Sequence, residues 1–419
     1  MDWKKYLTDW SEKYRKDLTE NIMPFWLKNG LDRVNGGVYT CLDRDGKLID
    51  TTKSVWFQGR FAFVCSFAYN TLEKNPEYLS AAKSTIDFIE NHCFDKDGRM
   101  YFEVMADGTP LRKRRYVFSE TFAAIAMAEY AKASGDITYI EKAMKLFNDI
   151  RRFVANSEEY MPSKYLDTLQ AKGHSLVMIL INTASRIRNA VETSLNGVSE
   201  KYASETKILN QQIDESIESL KDFMKPEFKA LLEMVGPNGE FIDTCNGRVI
   251  NPGHCIETAW FLLEEAKYRN WDKELTSQAL QILDWSWEWG WDKQYGGIIN
   301  FRDCKKLPPQ DYSQDMKFWW PQTEAVIATL YAYEATGDDK YLIMHKEISD
   351  WTYAHFPDNE YGEWYGYLHR DGTVAQPAKG NIFKGPFHIP RMMIKSYDLC
   401  NIISQQVNKT TSQQVCGNI

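Results

Sequence analysis

The stretch "GGVYTCLDRDG" at residues 36–46 opens on glycine, runs through a short β-branched and aromatic segment, and closes on an Asp-Gly turn signal. Four other stretches resemble it: "GRMYFEVMADG" (98–108), "GEFIDTCNG" (239–247), "GGIINFRDC" (296–304) and "GEWYGYLHRDG" (362–372). Their first residues lie 62, 141, 57 and 66 positions apart. The 141-residue gap is close to two ordinary spacings, which places one further unit, without its signature, near 157–171. The chain therefore reads as six units of roughly sixty to seventy residues, a period that marks a repeat architecture.

Helical patterns fill the intervals, at about 4–28, 56–74, 78–93, 118–134, 138–155, 172–194, 201–225, 254–269, 273–289, 319–336, 338–355 and 387–404. Two kinds alternate. In "DITYIEKAMKLFNDIRRFV" (136–154), Ile140, Ala143, Phe147, Ile150 and Val154 keep helical spacing and charges fill the opposite face. By contrast "WFQGRFAFVCSFAY", "TFAAIAMAEYA" and "AVIATLYAYEA" are apolar almost all round, as buried helices are. Six amphipathic outer helices alternating with six buried inner ones predict an all-α (α/α)6 barrel of twelve helices. The repeated segments become short β-hairpins at one rim, each feeding an inner helix. The alternative, two helical domains, lacks a Pro/Gly/Ser-rich linker to divide them. A single domain over 1–405 is expected, with a polar, frayed tail at 406–419.

Of the 419 residues 43% are hydrophobic and 26% charged, as in an ordinary packed protein. A net charge of −8 with no basic block standing out argues against a nucleic-acid partner. The 14 Trp, 23 Tyr and 21 Phe suit stacking on sugar rings and suit a large core equally well. The opening residues contain no apolar signal region, and no run is long enough to span a membrane. The eight cysteines form no CxxC pair, and several, such as Cys65, sit in apolar runs. The reading is a reducing, cytoplasmic compartment, in which the "NKT" sequon at Asn408 carries no meaning.

Chemistry is then sought at the starts of the inner helices, since a barrel end is a natural concave pocket. Arg60 follows "VWFQG"; His254 and Glu257 stand three apart in "NPGHCIETAW"; Glu324 follows Pro321 in "FWWPQTEA"; His388 and Arg391 stand three apart in "KGPFHIPR". Capping and buried ion pairing explain any one of these about as well as function does. Four such clusters at the same end of the barrel point to a site. His174 and Glu120, at the starts of two further inner helices, are weaker candidates. His92, His345, His355 and His369 read as surface or packing residues.

No HExxH or Cys/His cluster has metal-ligand spacing, so no metal site is expected. No GxGxxG follows a strand, and neither GxxxxGK[ST] nor GxSxG occurs, which removes dinucleotide, P-loop and serine-hydrolase readings. Two histidines suit proton transfer near neutral pH, one removing a proton next to a carbonyl and the other returning it from the opposite face. Arginine would steady the developing enolate oxygen. This chemistry needs no cofactor.

The ordered set "WFQGR", "FSETFAAIAMAEY", "NPGHCIETAWFLL", "FWWPQTEA", "EYGEWYGYLHRDG" and "KGPFHIPR" resembles the N-acylglucosamine 2-epimerase family, whose members include the mammalian renin-binding protein. The resemblance runs through about residues 5–400. It implies an (α/α)6 barrel, interconversion of N-acetylglucosamine and N-acetylmannosamine through the ring-opened sugar, a homodimer, and ATP as an effector rather than a substrate. Carried over by motif, the acid/base histidines fall on His254 and His388, and the other site residues on Arg60, Glu257, Glu324 and Arg391. Cellobiose 2-epimerases and aldose–ketose isomerases resemble the chain around the tryptophan-rich motif, whereas "KGPFHIPR" resembles the N-acyl-sugar branch. Disaccharide epimerases carry a third histidine on the inner helix that falls here at 172–194, a pattern His174 does not clearly match. Two readings stay open beside these: glycoside hydrolysis by Glu257 and Glu324, which leaves the histidines unexplained, and a non-catalytic binding protein.

Overall fold

The computed structural model describes residues 1–166, 168–194 and 200–416. Helix α1 (Trp3–Asp17) runs through a π turn (Leu18–Ile22) into α2 (Met23–Asn29). Pairs of helices follow: α3 (Val55–Thr71) with α4 (Pro76–His92), and α5 (Phe118–Ser134) with α6 (Thr138–Ala155). After the single turn α7 (Ser157–Tyr160) come α8 (His174–Ser194) with α9 (Glu200–Leu220), α10 (Pro252–Tyr268) with α11 (Lys273–Gly290), and α12 (Trp319–Thr336) with α13 (Asp339–His355). Helix α14 (His388–Cys416) ends the described chain.

Helices α3, α5, α8, α10, α12 and α14 pack each on the next, and α14 returns to α3, closing an inner ring. Each inner helix carries an outer partner: α4, α6, α9, α11 and α13 in turn, with α1 covering α14. The first outer helix thus seals the last inner one. This is the (α/α)6 barrel expected from the alternation of helix types.

The inner helices are buried on almost every side because they are built from small and apolar residues. In α5, Ala123, Ala124, Ala126, Ala128 and Ala131 are all buried. Small residues let backbones approach, and Gly59 of α3 takes this furthest. A Cβ there would stand 2.5 Å from the carbonyl carbon of Phe122. The outer helix α6 instead buries one stripe that includes Ile140, Phe147, Ile150 and Phe153. Every fully buried Leu, Ile or Phe side chain contributes roughly 1.5–3 kcal/mol.

The repeated segments lie where an outer helix ends and the next inner helix begins. Isolated bridges Leu31↔Val38, Phe94↔Met100, Trp291↔Ile298 and Pro357↔Trp364 close four of them. Two three-stranded antiparallel sheets tie neighbours together. One pairs Lys53–Ser54 with Tyr101–Val104 and Pro110–Lys113; the other pairs Lys317–Phe318 with Tyr367–Leu368 and Val374–Gln376.

The repeat extends to side chains. Gln58 accepts from Val38 N (2.8 Å) and donates to Val38 O (2.9 Å), and Gln322 does the same with Ile298 (2.7 and 2.8 Å). Buried Lys53–Asp32, Lys317–Asp292 and Lys379–Asp358 pairs brace the same joints. These bonds fix the rim segments on the inner-helix starts, where the cavity opens.

Two expectations need correction. Residues 239–247 form turns, and the strands lie beside them at Met234–Val235 and Val249–Ile250, because Asn238, Asn246 and three glycines favour bends. The slot at 157–171 holds α7 and irregular chain instead of a hairpin, with Asp167 outside the described residues. Helix α14 runs to Cys416, and 417–419 lie outside the described residues.

Candidate active site

A cavity of about 780 Å3 opens at the rim, lined by Trp56, Arg60, Phe122, Asn182, His254, Glu257, Trp319, Trp320, His388 and Arg391 among others. Local sequence explains how the side chains arrive. Pro252 occupies the first turn of α10, where its missing N–H costs nothing, and Asn251 caps that helix by accepting from His254 N. His388 begins α14, entered through Gly385, where a Cβ would meet the Phe57 ring at 2.6 Å.

His388 Nδ1 lies 2.8 Å from Glu324 Oε1. The other Glu324 oxygen accepts from Arg391 (2.7 Å) and from the indole N–H of Trp260 (2.8 Å). Arg391 also donates to Glu257 Oε1 at 2.5 Å. A carboxylate only accepts, and Glu324 lies closer to Nδ1 than the Arg391 donor does at 3.3 Å, so Glu324 assigns the proton of neutral His388 to Nδ1 and leaves Nε2 as a lone pair. Burial, with Arg391 and Arg60 nearby, pushes the His388 pKa well below its ordinary value.

His254 makes the matching contact with a residue the sequence reading did not single out. Its Nδ1 lies 3.0 Å from Glu233 Oε2. Burial opposes a charged imidazole there, but the Glu233 carboxylate outweighs it and the His254 pKa is raised. Burial likewise disfavours the Glu233 anion, and the imidazoles of His254 and His174 outweigh that and hold its carboxyl below the usual range. One signal in the sequence pointed to Glu233: a lone carboxylate inside the apolar run "LLEMV" at 231–235.

Arg60 stands apart. Its guanidinium lies over the rings of Phe122 (4.1 Å) and Phe387 (4.7 Å), its Nε is buried without a partner, and it forms no ion pair among the described residues. Burial pushes its pKa down to about 9, with Glu257 pulling the other way, so it remains charged at neutral pH. A buried cation without an anion is costly unless a ligand supplies one. Trp320 is a second residue the reading passed over: its ring lies 5.0 Å from that of His254 and 5.9 Å from that of His388, spanning the two.

All six main candidates thus come together: Arg60, His254, Glu257, His388 and Arg391 line the cavity, and Glu324 stands directly behind His388. The two weaker candidates do not join the cavity wall. His174 is fully buried behind His254, its Nε2 2.9 Å from Thr258 Oγ1 and its Nδ1 3.5 Å from Glu233. Glu120 is bound to Arg99 (2.6 Å) and to Met100 N (2.9 Å), a structural pair. His345, fully buried between Tyr6 (2.8 Å) and Tyr14 (3.1 Å), packs α13 on α1.

Glu257, Glu324 and His388 bring donor atoms within 4.8 Å of one another, a spacing that could hold a cation. Arg391 already bridges both carboxylates, so the cation of this cluster is a guanidinium. The set can remove and return protons at Nε2 of two histidines and can stabilise an oxyanion through Arg60 and Arg391.

Residues 37–386 match the family model described as N-acylglucosamine 2-epimerase (GlcNAc 2-epimerase). The N-acylglucosamine 2-epimerase of Bos taurus is 34% identical over 401 residues, covering 94% of this chain and 92% of that protein. That of Homo sapiens is 33% identical over 393 residues, covering 92% and 89%. The structure of cellobiose 2-epimerase from Bacillus thermoamylovorans B4167 superposes with a TM-score of 0.79 at 23% identity, over 93% of this chain and 99% of that one, which speaks for the fold. By its motifs, its barrel and these relatives, the chain belongs to the N-acylglucosamine 2-epimerase family.

Proposed function

We propose that this chain interconverts N-acetylglucosamine and N-acetylmannosamine by moving the proton at C2 of the ring-opened sugar, with His254 and His388 as the acid/base pair. The observation that carries this reading is the opposed environment of the two imidazoles. Each has Nδ1 held by a carboxylate, yet the pKa is raised at His254 and lowered at His388. Groups pushed apart in this way divide into an acid and a base. In the resting enzyme His388 is neutral and takes the C2 proton on Nε2. The C–H electrons form the C1=C2 bond and the carbonyl electrons move to O1, where Arg60 and Arg391 oppose the charge. His254 then returns a proton from Nε2 to the other face as the carbonyl re-forms. Turnover leaves His388 charged and His254 neutral, the state that the reverse reaction requires; exchange with solvent resets it.

Glu324 holds His388 and Arg391 from behind, and Glu257, which holds Arg391 in the cavity wall, offers its other oxygen to a sugar hydroxyl. The reading includes a cytoplasmic homodimer with no cofactor for the chemistry and ATP as an effector. Among the described side chains seven cysteines are unpaired and five of these are buried, which supports the reducing compartment, and no helix of the described residues is long and apolar enough to cross a membrane. The test is a substrate panel of N-acetylmannosamine, mannose and cellobiose, with and without ATP. Formation of N-acetylglucosamine from the first at a kcat/KM far above the others supports the reading. Fructose from mannose, epimerised cellobiose, or glucose released from cellobiose as the main product would replace it with the isomerase, disaccharide epimerase or hydrolase.

A further inference from the structure

Deep in the cavity, among the described residues, the side-chain amide of Asn182 has no partner. Asn182 interrupts the apolar run "LVMILINTA" (176–184) of α8 and lies roughly 12 Å along that helix from the rim, at 1.5 Å per residue. It is 5% exposed and lines the cavity, on the same helical face as Ser175, Met178 and Ile179. Among the described residues its amide group forms no hydrogen bond. Of the other polar groups of the wall, Glu257 is bonded to Arg391, His388 to Glu324 and His254 to Glu233, whereas Arg60 is a cation suited to an oxyanion. Buried amides in folded proteins are bonded, so an uncommitted one at the floor of a cavity is available to a ligand.

The chemistry of the floor selects the group that meets it. On the helical face that carries Asn182, the lining beside it is Met178 and Ile179. The hydroxylated C3–C6 end of a sugar would bring several hydroxyls against Met178 and Ile179, where Asn182 can bond only part of them. The open mouth, with Arg115 and Tyr116, suits that end better. An N-acyl group carries one carbonyl beyond its N–H, and an apolar methyl. It is attached to C2 itself, so a C2 held between His254 and His388 has this substituent within reach of the adjoining helix. A trans amide points its N–H and C=O in opposite directions, so one side chain meets one of them.

We propose that Asn182 is a specificity-determining residue for the N-acyl group, its Nδ2–H donating to the acyl carbonyl oxygen while Met178 and Ile179 receive the methyl. This rests on the epimerase reading above. It assigns to α8 the distinction between a 2-acylamino sugar and the same sugar with a hydroxyl at C2. A site built to bond a substrate group discriminates against analogues that lack it, because its own polar group is then left unpaired.

The test compares wild type with Asn182→Leu, close in size and unable to hydrogen-bond, and with Asn182→Ala. Affinities are measured by calorimetry for N-acetylmannosamine and for mannose, together with kcat/KM for N-acetylmannosamine and the Tm of each protein. The expected result is a loss on the order of 10- to 100-fold in affinity and kcat/KM for N-acetylmannosamine, carried by KM. Mannose affinity should stay within about threefold, below the worth of one hydrogen bond, and the Tm of Asn182→Leu should hold or rise, because an unbonded buried amide has gone. Equal losses for both sugars would place Asn182 on a group they share and overturn the proposal. So would unchanged affinity for N-acetylmannosamine, or a fall in Tm that accompanies the loss. If the wild-type protein does not exchange the C2 proton of N-acetylmannosamine with solvent, the underlying reading fails, whatever the Asn182 variants do.

Discussion

Glu233 Oε2 lies 3.0 Å from His254 Nδ1, and the same carboxylate stands 3.5 Å from Nδ1 of the buried His174. Glu233 is therefore for His254 what Glu324 is for His388: an acceptor that fixes the ring and directs Nε2 to the cavity. The difference lies in the surroundings. Beside His388 stand two guanidiniums, Arg391 and Arg60, which add to burial in opposing its charge. Beside His254 the carboxylates Glu233, Glu257 and Glu324 favour it.

A pH profile follows from these directions. Activity needs His388 neutral and His254 charged. It should rise with pH through an acid limb below 6.5, the ordinary histidine value, as His388 loses its proton, and fall through an alkaline limb above 6.5 as His254 loses its own. Glu233→Gln removes the charge that raises His254, so the alkaline limb of kcat/KM should move to lower pH by about one unit or more. An unmoved limb would show that another group controls it.

Glu324→Gln and His388→Asn should both reduce kcat, by about 10²–10⁴-fold for the histidine, with a smaller effect on KM. The glutamine variant also takes one anion from Arg391, which keeps Glu257. Steady-state kinetics with N-acetylmannosamine separates the two constants. Retention of wild-type kcat in His388→Asn would remove this residue from the reaction.

Arg60→Met separates catalysis from stability. The guanidinium is placed for an oxyanion and has no ion-pair partner among the described residues, so the methionine should cost about 10²–10³ in kcat while thermal unfolding stays at or above the wild-type temperature. Clear destabilisation with kcat retained would make Arg60 a structural residue.

Gly59→Ala tests the barrel itself. The added methyl meets the Phe122 and Ala123 backbone of α5 at 2.5–2.8 Å, so two inner helices must move apart. A loss of about 1–3 kcal/mol is expected from such overpacking, read in denaturant or thermal unfolding. Unchanged stability would mean that α3 and α5 do not approach so closely.

The barrel was legible because each inner helix differs from its outer partner in composition along its whole length: "TFAAIAMAEYA" against "DITYIEKAMKLFNDIRRFV". The site was legible where a charged side chain interrupts such a helix in its first two turns, as at Arg60, His254, Glu324 and His388. Glu233 was missed because it lies on irregular chain between helices, where no periodicity says which way a side chain points. Glu120 reads as a candidate because a buried glutamate at a helix start looks the same whether Arg99 or a substrate meets it. The side-chain bonds of Gln58 and Gln322 recur between repeats, a regularity that glycine and aromatic spacing alone did not reveal.

The most direct test of the central claim is an NMR time course of N-acetylmannosamine with the enzyme in D2O. The account predicts N-acetylglucosamine that carries solvent deuterium at C2 from its first appearance, and no such product from His388→Asn. Epimer that retains the original C2 proton, or no C2 exchange with either N-acetyl sugar, would contradict it.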